Sequence, residues 1–163
     1  METEFVGIGY EAINLTPGTN MPTSWNLFLG DHPDGKTQFY PITVGWARDS
    51  RDSLLNPSRG SFVRLNGEYG TGQDARYVRY GAQYQEYFSL GKKYTLAYNV
   101  DLGLGRALGD TRFPVSKNLY AGGLGSVRGF QQGTLGPRDV TGASIGGAKR
   151  VTLNRSEEHT SEL

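Results

Sequence analysis

Apolar and polar residues alternate along much of this chain. Between residues 94 and 105, every even position is tyrosine, leucine or valine and every odd position is small or polar. Successive side chains of a strand point to opposite faces, so this pattern predicts strands with one apolar and one polar face. Six such segments predict an all-β fold of antiparallel, up-and-down strands. They are residues 5–13, 39–49, 61–69, 76–88, 94–105 and 144–154.

Three features of these strands favour a transmembrane β-barrel over a soluble sheet. Their length of about ten residues matches the roughly 9–11 that cross a bilayer at a tilt, whereas soluble strands usually have about 5–6. Aromatic residues crowd the strand ends, as they do at membrane interfaces: Tyr40, Trp46, Tyr69, Tyr77, Tyr87, Phe88 and Tyr94. The polar face carries side chains predicted to line a wet lumen: Arg79, Gln83, Asn99 and Asp101. A soluble β-sandwich acting as a binding module is the alternative.

The number of strands limits what this chain forms by itself. Six strands do not close such a barrel, because an open edge in lipid leaves backbone groups unpaired. We therefore interpret residues 1–154 as a partial transmembrane β-barrel, a fragment of a larger outer-membrane β-barrel domain, with long connections at residues 15–38 and 107–141. Residues 155–163 lose the alternation and resemble the translation of a sequencing-adapter oligonucleotide. They are predicted to be a non-native tail.

The composition offers little chemistry. The chain has 17 basic and 16 acidic side chains, and a net charge of +1 argues against nucleic acid as a partner. It has no cysteine and only two histidines, His32 in a loop and His159 in the suspect tail. Neither a serine–histidine pair nor a cluster of metal ligands is predicted. The glycine-rich residues 103–105 and 122–125 lack the strand-to-helix context of a phosphate-binding loop and are interpreted as packing and turn glycines. We predict no catalytic residue, no metal and no cofactor.

The second long connection contains a specific motif. Residues 119–130 read LYAGGLGSVRGF, and LGPRD follows at residues 135–139. The motif residues are Val127, Arg128, Gly129 and Phe130, framed by Gly122, Gly123, Gly125 and Pro137. This segment resembles the long extracellular loop of the BamA family, the outer-membrane β-barrel assembly factors. Residues 45–60 and 113–123 resemble the same family, and the likeness runs in order from about residue 5 to residue 154.

The resemblance implies a barrel of about sixteen strands, with these strands in its middle to late part. The intact protein is expected in the outer membrane of a Gram-negative bacterium, where it folds and inserts unfolded outer-membrane protein clients. Outer-membrane lipids and accessory assembly lipoproteins are the other implied partners. A secretion or translocation pore of the same superfamily is the alternative.

The resemblance also implies roles for the motif. Arg128 is expected to meet a luminal carboxylate on later strands, with Asp101 or Glu68 as no more than substitutes. Gly129 is expected to let the backbone approach the barrel wall, and Phe130 to pack as a wedge.

Overall fold

The computed structural model describes residues 1–16, 18, 21–31, 33–72, 75–91 and 94–159. The strands in these ranges are β1 (Glu2–Ile8), β2 (Glu11–Asn14), β3 (Lys36–Asp49), β4 (Gly60–Gly72), β5 (Arg76–Ser89), β6 (Tyr94–Leu108) and β7 (Lys149–His159). The helices are α1 (Thr23–Asp31) and a short 3-10 helix, η1 (Val115–Lys117). None of these helices is long and apolar enough to cross a membrane. The loop position predicted for His32 lies outside the described residues.

All seven strands pair antiparallel in one sheet, in the order β1-β3-β4-β5-β6-β7, with β2 also pairing with β3. The antiparallel all-β prediction is confirmed, with seven strands in place of six because the first predicted strand is split. Both halves keep one register, since Ile8 lies opposite Ile42 and Glu11 opposite Phe39. The ladder is interrupted beside Pro41 of β3, which has no N–H to donate.

The last strand differs from its predicted bounds. Residues 144–148 belong to the preceding loop, where Gly146 turns the chain with a φ of +65°. β7 then continues to His159, which lies opposite Tyr94 at the start of β6. Pairing with Tyr94–Leu104 of β6 carries the strand beyond the end of the alternation. The non-native origin of residues 155–163 stays a prediction, and the last four of them lie outside the described residues.

The first long connection contains a helix that the alternation does not predict. In the first turn of α1, the carbonyl of Pro22 accepts hydrogen bonds from the N–H groups of Trp25 (2.9 Å) and Asn26 (3.1 Å). Trp25 also packs edge-on against Phe28, with ring centroids 6.3 Å apart. Local capping and ring contacts therefore order part of a segment that was expected to be loop.

The two faces of the sheet have different surroundings. Residues opposite each other on neighbouring strands share a face. One row across the apolar face is Trp46, Leu65, Ala82, Leu102 and Val151. No second layer covers this face in the described structure, and Val151 is 72% exposed. The polar face is covered by residues 109–148, hereafter the long loop. A β-sandwich buries its apolar face between two sheets, so the soluble-sandwich alternative is wrong.

Two aromatic residues do not lie where the interface prediction put them. Tyr77 and Tyr87 occupy odd positions of β5 and so share the polar face with Arg79. Tyr77 and Phe39 are the only large hydrophobic side chains that are fully buried in the described part of the chain, with exposures of 0% and 1%. The prediction that Tyr77 and Tyr87 contact the membrane interface is therefore wrong: both side chains lie on the polar face, where Tyr77 is buried against Phe113 of the long loop.

Candidate functional site

The long loop lies against the polar face because glycines of β6 leave room for it. Phe113 packs over Gly105, and Leu119 packs over Gly103. A Cβ atom at these glycines would lie 2.7 Å from Cε2 of Phe113 and 2.7 Å from Cδ1 of Leu119. Packed side chains do not approach this closely, so this packing requires glycine at both positions. The interpretation of residues 103–105 as packing glycines is confirmed.

Three aromatic rings hold the start of the long loop. Phe39 of β3, Tyr77 of β5 and Phe113 of the loop form a row with centroids 5.5 and 5.9 Å apart. Their interplanar angles of 81° and 84° are the edge-to-face geometry that the ring quadrupoles favour. Each such pair contributes about 0.5–1.5 kcal/mol beyond the burial of its area. This row of rings forms a small apolar core between the polar face of the sheet and the long loop.

Beside these rings, Lys117 of η1 is buried among charged partners, and we call this group the Lys117 cluster. Its Nζ donates to Oε1 of Glu11 at 2.8 Å and lies 3.0 Å from Oε1 of Glu68. The hydroxyl of Tyr77 donates to the same Glu68 oxygen at 2.7 Å, and Nη1 of Arg79 lies 3.7 Å from the other one. Burial alone lowers the pKa of Lys117, but hydrogen bonding to Glu11, Tyr77 and Glu68 outweighs it and raises that pKa above 10.5. The ammonium group therefore stays charged at neutral pH.

A second set of contacts holds the middle of the long loop. Arg150 of β7 forms an ion pair with Asp101 of β6 through Nε (3.1 Å) and Nη2, and its Nη1 donates to the carbonyl of Tyr120 at 3.1 Å. Nδ2 of Asn154 donates to the carbonyl of Ser126 at 2.6 Å. The residue that precedes the predicted motif is thus fixed against the polar face of β7.

The motif itself forms the exposed tip of the long loop. Val127 is half-buried, whereas Arg128, Gly129 and Phe130 are exposed. Gly129 has a φ of +86°, in the left-handed region that favours glycine. The geometry accounts for the glycine of the motif and leaves the arginine and phenylalanine side chains accessible.

Neither substitute partner that the sequence offers contacts Arg128. Asp101 is engaged by Arg150, and Glu68 accepts hydrogen bonds from Tyr77 and Lys117. No hydrogen bond or ion pair joins Arg128 to a residue that the structure describes. The guanidinium group is therefore available to a partner outside these residues.

The glycine frame is needed for different reasons at different positions. Gly122 and Gly123 have φ angles of +108° and +91°, and a Cβ at Gly122 would lie 2.5 Å from the carbonyl oxygen of Gln131. Gly125 has no atom within 4 Å of such a Cβ. Pro137 is exposed and accepts a hydrogen bond from the N–H of Ile145 at 3.1 Å. Only the first two glycines are therefore fixed by local packing.

The four residues predicted to line a lumen lie together on the polar face. Arg79 belongs to the Lys117 cluster, and Asp101 pairs with Arg150. Beside Asp101, on the side away from Arg79, Nε2 of Gln83 donates to Oδ1 of Asn99 at 3.1 Å. The last two side chains line a cleft of about 470 Å³ between the sheet and the loop tip, which Arg128 also lines.

Sequence reasoning missed three residues of this site. Lys117 lies within residues 113–123, which the family resemblance already covers, and Arg150 is one of the polar positions of the last strand. Nothing in the sequence around Glu11 indicates its role, because its partner, Lys117, is 106 positions away. Among the described residues, no group of three or more acidic or histidine side chains is placed to hold a metal ion. The contacts between the sheet and the long loop hold that loop in place and leave Arg128 exposed at its tip.

Several known proteins have sequences similar to this chain. The family model of the Omp85 superfamily domain matches residues 6–155. The outer membrane protein assembly factor BamA of Neisseria meningitidis serogroup B is 39% identical over 170 residues, which cover 94% of this chain and 21% of the relative. The sorting and assembly machinery component 50 homolog of Xenopus tropicalis is 30% identical over 101 residues, covering 61% of this chain and 21% of the relative. The chain thus spans about a fifth of the length of these relatives.

A solved structure shows the same fold. The crystal structure of BamA from Haemophilus ducreyi lacking POTRA domains 1–3 superposes with a TM-score of 0.78 at 19% identity, covering 93% of this chain and 33% of that one. The prediction of a partial transmembrane barrel is confirmed by this match, and the outer-membrane location by the bacterial relatives. The chain belongs to the Omp85 superfamily and, within it, to the BamA family.

Proposed function

We propose that this chain is part of the barrel of a factor that folds other outer-membrane proteins and inserts them into the outer membrane. One observation carries the proposal: a sheet with a bare apolar face holds a glycine-framed arginine loop against its polar face. The relatives are named assembly factors, and the activity belongs to the whole protein, of which this chain spans a small part. The chain alone is expected to be inactive.

The proposed work is templating and not bond chemistry. A barrel with a weak seam offers an exposed strand edge, to which an incoming strand adds by β-augmentation. Thinning of the bilayer beside the barrel lowers the cost of insertion. No nucleotide, metal or catalytic residue is needed. Unfolded outer-membrane protein clients, outer-membrane lipids and accessory lipoproteins are the proposed partners.

The polar face is proposed to line the lumen of the whole barrel. Arg79, Gln83, Asn99 and Asp101 then contact water, which is supported by their place on the face opposite the bare apolar one. Arg128 is proposed to meet a carboxylate on strands outside this chain. Its lack of a partner among the described residues supports that role.

Residues 155–163 are proposed to be non-native. The family model ends its match at residue 155, which supports the proposal. Reading the genomic sequence past the codon for Asn154 tests it, and a genomic open reading frame that encodes the same nine residues would refute it.

A chimera tests the proposed function. Residues 6–155 replace the matching segment of Neisseria meningitidis BamA, and growth and outer-membrane protein levels are measured while the native protein is depleted. We expect the chimera to restore both, and the same chimera carrying Arg128→Ala to restore them less well. Heat-modifiable mobility on gels reports whether each barrel is folded. A folded chimera in the outer membrane that restores neither quantity would contradict the proposal and favour a secretion or translocation pore.

A further inference from the structure

We propose that Lys117 is the positioning residue that fixes the base of the long loop across the width of the sheet. Its place in the assembly reaction rests on the proposed function, whereas its role in holding the loop does not. The inference depends on three properties of Lys117: its burial, its partners and the distance in the fold that it bridges.

Lys117 is the only charged residue that is buried in the described part of the chain, with an exposure of 7%. Desolvating an ammonium group costs several kcal/mol unless its partners compensate. Here both carboxylate oxygens of Glu11 lie within 2.8 Å of Nζ, and one oxygen of Glu68 lies at 3.0 Å. The ring of Tyr77 lies below it, with its centroid 5.4 Å from Nζ, which adds a cation–π contact. The site is built for a cation from the loop.

The partners of Lys117 come from widely separated strands. Glu11 is on β2, Glu68 on β4 and Tyr77 on β5, while Lys117 follows β6 in the chain. In the sheet, β3, β4 and β5 lie between β2 and β6. A single side chain therefore ties the loop, which leaves the sheet after β6, to β2 at the opposite side of the sheet.

η1 also lies against α1, and the loop base has further contacts with itself and with β5. Leu119 and Gly147 exchange backbone hydrogen bonds at 2.7 and 2.9 Å, which join the loop to itself. Phe113 contacts Tyr77 on β5. None of these reaches β2. Removing the ammonium group leaves Glu11 and Glu68 facing each other without a cation between them, and it removes the attraction that holds the loop base to these two strands.

Amide hydrogen exchange of the chimera described above, which carries residues 6–155 in the barrel of Neisseria meningitidis BamA, tests the inference in detergent micelles. Lys117→Met keeps the aliphatic stem and removes the charge, and Lys117→Arg keeps the charge. Lys36→Met is the matched control, because Lys36 is an exposed lysine of β3. We expect Lys117→Met to lower the protection of the Leu119 and Gly147 amides roughly 100-fold, while the arginine variant retains most of it and the control all of it.

The amides that join β4 to β5 are the internal reference. They are expected to keep their protection in every variant, because their ladder does not pass through the loop. Unchanged protection of Leu119 and Gly147 in Lys117→Met overturns the inference. Equal loss in the loop and in the β4–β5 ladder also overturns it, since Lys117 would then support the sheet in general. Assembly activity does not enter this measurement, so its failure is distinct from a failure of the proposed function.

The pKa of Lys117 is a second measurement, because it depends on the charged partners of the ammonium group and not on packing alone. The charged groups facing it are Glu11 on β2, Glu68 on β4 and Arg79 on β5, with the Tyr77 hydroxyl beside them. Because its pKa is raised, the stability it contributes is fully present below pH 10.5 and is lost as the pH rises through the higher folded value. The Cε chemical shift of Lys117 is expected to titrate above 10.5 and Glu11→Gln to lower the midpoint. A midpoint at or below 10.5 would count against the cluster.

Discussion

Replacing Gly105 by alanine should detach the base of the long loop. The new Cβ would lie closest to Cζ of Phe113 and 2.7 Å from its Cε2, so the ring must retreat by more than about 1 Å to reach the ordinary 3.5–4.0 Å. Overpacking of this kind costs about 1–3 kcal/mol. The shift also weakens the edge-to-face contact with Tyr77, now 5.9 Å between centroids, which is worth about 0.5–1.5 kcal/mol. We expect a total loss of about 2–4 kcal/mol in loop docking.

Trypsin cleavage after Arg112, next to Phe113, measures that loss in the refolded chain. Where cleavage requires the loop base to open, the rate follows the population of the open form, so it should rise roughly 30- to 1000-fold. Gly125→Ala is the matched control in the same loop, because its Cβ would meet nothing within 4 Å, and it should change the rate little. Equal rates for the two variants would refute the packing role of Gly105.

Three further outcomes are expected. Val100→Lys puts a charge on the lipid-facing side and should cost about 2–4 kcal/mol of unfolding free energy in bilayers, whereas Asn99→Lys on the polar face should cost far less; equal costs would show that the faces are misassigned. Hydrogen bonds from Ser58 lower the pKa of Asp52 from 3.8 to about 2, so the order of this turn should be present above pH 3.8 and lost as the pH falls towards 2. A midpoint near 3.8 in an NMR titration of the Asp52 carboxyl would contradict this. Arg128→Ala should leave the urea stability of the isolated chain within about 0.5 kcal/mol, and a larger change would reveal a partner within it.

Local periodicity predicted the sheet because each strand faces two different environments along its whole length. The alternation in residues 94–105 assigns Asn99 and Asp101 to one face and Leu102 to the other, and the strand register agrees. The motif at residues 127–130 indicated the family through its resemblance, and the structure accounts for Gly129 through its positive φ. Strand positions and the face on which each side chain lies could therefore be predicted from the sequence.

The burial and ion pairing that arise when the long loop packs on the sheet could not be predicted from the sequence. Tyr77 resembles any other aromatic residue near a strand end, and only the docking of Phe113 over Gly105 makes its surroundings dry. The partnership of Lys117 with Glu11 depends on the order of the strands in the sheet, which periodicity does not contain. The end of β7 was set too early for a similar reason, because its pairing partner is longer than its own alternating segment.

The near absence of an interior has a consequence for how such a chain reaches its native state. With Phe39 and Tyr77 as the only large hydrophobic side chains fully enclosed among the described residues, collapse in water gains almost nothing. Burial of the outward-facing side chains must come from the hydrocarbon of the lipid. Folding of this sheet and its insertion into the membrane are then a single event.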